Sequence, residues 1–220
     1  MSREGYSIRW NQKSSSFTVV NNPRIINRVG ISLGWNCGSA TFAVDVGIRA
    51  RKANGYKTCP FDIMVSNYDG IVECIRDDFK YLCDDKYLVL QPYAEWANTS
   101  TLAIYNTRYN FEFTHESPGI ADLYITEKWS GGINHFVDNN FAKLKERYER
   151  RVQNFRDYMN DPNTYIVFVL TTWNKTSDDV VDLKNVLKER YPALHYEILL
   201  RDEPKGEEYF MKHMRYMQRS

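Results

Sequence analysis

The chain has 220 residues, 43% of them hydrophobic and 26% charged, and its 29 basic and 28 acidic side chains leave a net charge of +1. That length buries roughly 70% of the unfolded surface in one core, so neither disulfides nor metal are needed to close it, and disorder, collagen and coiled coil are excluded. A near-neutral charge, with a pI of 7.6, argues against a dedicated nucleic-acid binder.

Residues 1–24 are polar and read as a flexible arm, with an edge strand at Ser16–Val20; residues 25–220 read as a single domain. IINRVGISLG is a β-prone run ending at Gly34. SATFAVDVGIRA then places Ala40, Ala43, Val44 and Val46 at helical spacing. Trp35-Asn36-Cys37-Gly38 lies between them, so strand, tight turn and helix put Cys37 near a helix amino terminus. After Pro60-Phe61-Asp62, the residues Ile71, Cys74, Ile75, Phe79 and Leu82 predict one helical face, with Cys74 plain core. Tyr87–His115 alternates enough to predict two or three antiparallel strands.

Phe141, Leu144, Tyr148, Val152, Phe155 and Met159 predict a long helix over 136–159, which Asp161-Pro162 stops. YIVFVL at 165–170 is a continuous apolar run, as a strand covered on both faces requires. Ser177 caps the next predicted helix, Val180, Leu183 and Leu187 form its buried face, and 195–200 is another strand. Strand, helix and strand make a βαβ unit with parallel pairing. The expected fold is therefore α/β: a three-layer sandwich with a mostly parallel central sheet, strand 165–170 inside it, and an antiparallel excursion. The competing architecture is a papain-like α+β fold.

Four cysteines without a C-x-x-C pair, and no zinc-finger spacing, suggest a reducing compartment and no metal. No apolar leader and no span of about 18 apolar residues is visible, so a cytoplasmic protein with no membrane partner is expected. P-loop, G-x-G-x-x-G, G-x-S-x-G and H-E-x-x-H motifs are missing, so no cofactor is expected.

Cys37 is the sharpest chemical candidate. A thiol at a helix amino terminus meets unpaired N–H groups and the positive end of the dipole, which favour a thiolate and supply donors for an oxyanion. Read otherwise, it is a small residue at a tight turn. Of the four histidines, His115 ends the strand-like TRYNFEFTH where a side chain can project into a cleft; His135, His195 and His213 have less to recommend them. Lys143, Lys145, Arg147, Arg150, Arg151 and Arg156 make the long helix basic, and Arg151, beside the apolar stripe, can clamp a carboxylate or phosphate, although such runs are commonly solvated faces. Asp62 leaves a Pro-Phe turn and either orients an imidazole or caps local backbone. An Asp62–Arg151 pair in one pocket with Cys37 is a further expectation.

These pieces together resemble a family of uncharacterised bacterial and viral proteins described as papain-like cysteine peptidases. The resemblance rests on Ser32-Leu33-Gly34-Trp35-Asn36-Cys37, on Arg49 with Pro60-Phe61-Asp62, on His115, and on Arg147-Tyr148-Glu149-Arg150-Arg151, spread over about residues 28–175. It implies a Cys-His pair, with Cys37 as nucleophile beside Asn36 and His115 as base, in a cysteine-dependent hydrolase or transferase acting on a peptide, acyl or anionic ligand. An orienting third residue is not assigned; Asp122, Asn134 and Asp138 are nearby. The rival reading is a glycosyltransferase-like or nucleotide-sugar-binding protein that holds phosphate with Arg147, Arg150 and Arg151, and a third is a non-catalytic interaction domain.

Overall fold

A computed structural model describes residues 6–11, 16–21, 27–92, 102–118, 129–171 and 177–201. His213 and Asp122 lie outside the described residues. Strands β1 (Tyr6–Asn11) and β2 (Ser16–Asn21) pair only with each other among the described strands, antiparallel, so the expected edge strand is one arm of a hairpin.

The central sheet is parallel, in the order β3 (Asn27–Ser32), β7 (Thr164–Leu170), β8 (His195–Leu200). YIVFVL is its middle strand because it has apolar groups to give to both faces. Ile166, Phe168 and Leu170 point into the larger core, while Val167 and Val169 point into a smaller one. Helix α1 (Cys37–Asp45) covers the smaller side through Phe42 and Ala43. Helices α2 (Tyr68–Arg76), α3 (Asp138–Met159) and α4 (Val181–Arg190) cover the other. Three layers result, as the pattern of apolar runs predicts. The antiparallel excursion is a second sheet, β4 (Leu88–Pro92), β5 (Leu102–Asn106) and β6 (Phe111–Glu112).

Three local expectations need correction. Helix α2 ends at Arg76, and Asp78 and Phe79 take positive φ. Phe79 and Leu82 are buried all the same; they reach the core from turns, where period counting alone cannot tell turn from helix. In α3, residues Asn139, Asn140 and Phe141 also have positive φ, so regular helix begins after them, while Leu144, Tyr148, Val152, Phe155 and Met159 are buried as the spacing requires. Helix α4 starts at Val181 behind a 3-10 turn over Ser177–Val180, so its N-cap position is Val180 and not the expected Ser177.

Phe61 joins the layers. Fully buried, it meets the rings of Phe79 at 5.9 Å, Phe111 at 5.9 Å and Phe155 at 6.3 Å, the last two edge-on. Edge-to-face contacts of this kind are favoured by the ring quadrupole.

Candidate active site

The β3–α1 turn is held from several directions at once. The Ser32 hydroxyl donates to the Phe61 carbonyl at 3.3 Å and accepts the Gly34 N–H at 3.3 Å. Gly34 has a φ of 88°, and a Cβ there would lie 2.1 Å from Ser66 Oγ, so only glycine fits. The Trp35 carbonyl accepts from Ser66 N at 2.8 Å, and Ser39 Oγ bonds both the Gly34 carbonyl and Thr171 Oγ1, the latter at 2.7 Å. Asn36 is the N-cap of α1, its side chain accepting from Gly38 N at 2.8 Å.

Cys37 is thus the first residue of a nine-residue helix, and it is exposed. The chain leaves β3 for the α1 side of the sheet and leaves the neighbouring β7 for the opposite side, through α4. Adjacent strands whose connections diverge in this way open a crevice at their carboxyl ends, the usual site in open α/β sheets. Cys37 stands at that crevice. From the end of β8, Arg201 reaches over it: its Nη1 lies 2.8 Å from where a Cβ on Gly38 would sit, so the missing side chain admits the guanidinium to the helix end. Arg201 is a neighbour of the candidate site that the sequence reading missed, since nothing in the sequence ties position 201 to position 38.

The other three cysteines are poor nucleophiles. Cys59 and Cys74 are fully buried, and burial pushes both thiols well up, with the Asp62 carboxylate adding to the effect on Cys59. Cys83 is half-buried, and its thiol is pushed up to about 12 by burial, Lys145 opposing.

Asp62 and Arg151 do not pair. Asp62, fully buried, takes Arg49 Nη1 at 2.8 Å, the Cys59 N–H at 2.7 Å and the Tyr56 hydroxyl at 3.1 Å. It therefore caps its own turn and holds an ion pair; it is not shown orienting an imidazole. Burial raises the Asp62 carboxyl, and Arg49 with the hydrogen bonds pulls against it. Arg151 goes instead to Glu116, which is also fully buried: Arg147 Nη1 and Arg151 Nη1 both approach Glu116 Oε1, at 2.9 and 3.1 Å, and the Tyr148 hydroxyl donates to Oε2 at 3.3 Å. The reason is positional, because Glu116 sits in the turn that docks on the middle of α3. Glu116 is the second residue missed, although it directly follows His115 in the sequence.

His115 lies in the 3-10 turn Thr114–Glu116, half-buried. Its turn is tied to the Cys37 loop through one intervening segment. Val65 pairs with Glu112 by two backbone bonds of 2.9 Å, and the next residue, Ser66, holds Trp35. Burial lowers the His115 imidazole first, and Arg151 and Arg147 lower it further against Glu116. Of the residues considered for a third role, Asn134 lies in a 3-10 turn and Asp138 opens α3. His135 stacks on Trp129 at 5.8 Å and meets Phe136 edge-on, and His195 is exposed at the start of β8.

A family model described as "Putative papain-like cysteine peptidase" matches residues 28–202, more than three quarters of the chain. The chain belongs to that family. No curated protein and no solved structure matches it. In this member of the family the motif residues are physically paired: Arg49 with Asp62 of the Pro-Phe-Asp turn, Arg147, Tyr148 and Arg151 with the Glu116 beside His115, and Ser32 with Phe61.

The depressed imidazole has a stability consequence. A histidine whose folded pKa lies below its unfolded value of about 6.5 contributes stability above that value, which is lost as pH falls through the folded pKa. The His115 resonance in an NMR titration is expected to turn at a midpoint under 6.5, and His115→Gln to flatten the decline of melting temperature on acidification from there. A midpoint at or above 6.5 contradicts the environment described.

No helix among the described residues is long and apolar enough to cross a membrane. No cluster of metal-ligating side chains occurs among them.

Proposed function

We propose that this protein is a cysteine-dependent acyl hydrolase or transferase in which Cys37 is the nucleophile and His115 carries the proton. The observation that carries the reading is the contrast among the thiols: Cys37 alone is exposed, at a helix amino terminus in the crevice of the sheet, while the rest are wholly or partly withdrawn into the core. Family membership supports the same class of chemistry.

The Cys37 thiol gives its proton to His115, which is neutral at pH 7, and the sulfur attacks the substrate carbonyl carbon. The first-turn N–H groups of α1 other than that of Gly38, which Asn36 holds, and the Arg201 guanidinium face the oxyanion that develops. Collapse forms a Cys37 thioester while the imidazolium protonates the departing amine or alcohol. Water, deprotonated by His115, then releases the acid and restores the thiol; an acceptor nucleophile in place of water gives transfer.

Acid-quenched mass spectrometry of the protein mixed with p-nitrophenyl acetate tests this. An acetyl group on Cys37 that accumulates and decays with turnover is the expected result. An adduct confined to lysines, or one on Cys37 that never turns over, counts against it.

A further inference from the structure

Away from Cys37, the segment 49–58 and helix α3 enclose a pocket of about 680 Å³ whose walls include Arg49, Lys52, Lys57, Arg147, Arg150 and Arg151. Among the described residues no aspartate or glutamate lines it, and neither Cys37 nor His115 does. The carboxylates touching those six cations are Asp62 behind Arg49, Asp157 on Lys57 at 3.4 Å, and Glu116 shared by Arg147 and Arg151. Among the described residues, six cations less three carboxylates leave three positive charges uncompensated. Lys52 and Arg150 are exposed and form no ion pair among the described residues.

The floor is short of acceptors as well as of negative charge. Arg151 is only 6% exposed, yet its Nη1, 3.1 Å from Glu116, has no hydrogen-bond acceptor in acceptable geometry among the described residues, and Arg49 Nε is likewise buried without one among them. A buried guanidinium nitrogen without an acceptor is costly. Rigid guanidinium forks in surplus over carboxylates are the arrangement that recognises phosphate oxygens. The volume suits a small molecule and not a chain, and three positive charges match a diphosphate group.

We infer that this pocket binds a small molecule through a diphosphate, with Lys52 and Arg150 at its mouth and Arg147 and Arg151 at its floor. The site stands apart from the proposed nucleophile, so it holds or fails independently of the thioester chemistry.

Isothermal titration of the intact protein with inorganic pyrophosphate, ADP and sulfate at one ionic strength is the test. Pyrophosphate or ADP is expected to bind at least tenfold more tightly than sulfate. A double variant Lys52→Ala/Arg150→Ala loses at least tenfold in affinity while its circular dichroism is unchanged, because both side chains are exposed, and Cys37→Ala binds as the natural protein does. ADP binding much more tightly than pyrophosphate assigns the diphosphate to a nucleotide; equal affinities assign recognition to the diphosphate alone. Neither ligand binding better than sulfate, or the double variant binding unchanged, overturns the inference. So does tight, steeply salt-dependent binding of a single-stranded oligonucleotide with none of pyrophosphate.

Discussion

Replacing Cys37 by serine is expected to lower steady-state hydrolysis of p-nitrophenyl acetate by at least about 1,000-fold, or about 4 kcal/mol in activation free energy. The melting temperature should stay within a degree or two, because the side chain is exposed and surface substitutions of this kind change stability by about 0.5 kcal/mol or less. A serine hydroxyl keeps the geometry but is a far weaker nucleophile than a thiolate at neutral pH. Arg201→Met should act on the same step more mildly, by roughly 100-fold, the lower end of the cost of removing one oxyanion donor. The pair of variants separates nucleophile from electrostatic support. Retention of full activity by Cys37→Ser would sink the assignment whatever Arg201 does.

The sheet was legible because its middle strand declares itself. A run such as YIVFVL has no polar face, and only a strand with helices on both sides can bury it. Helix α3 was legible for the complementary reason, a stripe at steps of three and four against a charged remainder. Phe79 and Leu82 misled because a turn can deliver side chains to the same core at helical spacing.

The position of Cys37 was legible in the sequence, and the partners of the charged residues around it were opaque. Trp35-Asn36-Cys37-Gly38 between a β run and a helical run puts Cys37 near a helix amino terminus, which the structure contains; that Asn36 caps the helix is seen only in the structure. Which carboxylate meets which guanidinium is a long-range choice among chain segments, and sequence carries no signal of it. Asp62 meets Arg49 because Ile48 lies beside β3, its carbonyl accepting from Gly30 N at 2.7 Å, and brings Arg49 to the turn that Ser32 holds. Arg151, on α3, is met by Glu116. Arg201 escaped notice for the same reason, since only the parallel register of β7 and β8 brings the end of one strand to the helix that follows another.

Asp62→Ala is expected to destabilise the protein by about 3–5 kcal/mol, the usual result of removing one partner of a buried ion pair. For a chain of this size, at about 2–4 °C per kcal/mol, the melting temperature should fall by roughly 6–20 °C. The loss is large because one carboxylate satisfies three buried donors: the Arg49 guanidinium, whose side chain is 10% exposed, the Cys59 N–H and the Tyr56 hydroxyl. Asp62→Asn keeps an acceptor for Cys59 N but abandons the charge opposite Arg49, so it should fall between the natural protein and Asp62→Ala. Acidification should not mimic either variant. Burial raises the Asp62 carboxyl above its unfolded value, and a raised group contributes stability that is present below the unfolded pKa and lost as pH rises through the folded one. Protonation of Asp62 therefore does not drive acid unfolding. Arg49→Met with Asp62→Leu should recover much of the loss, because a buried pair replaced by packed apolar side chains is often neutral. Chemical denaturation of the four proteins decides the matter: a double variant no more stable than Asp62→Ala would mean that the carboxylate serves the Cys59 and Tyr56 hydrogen bonds more than it serves Arg49.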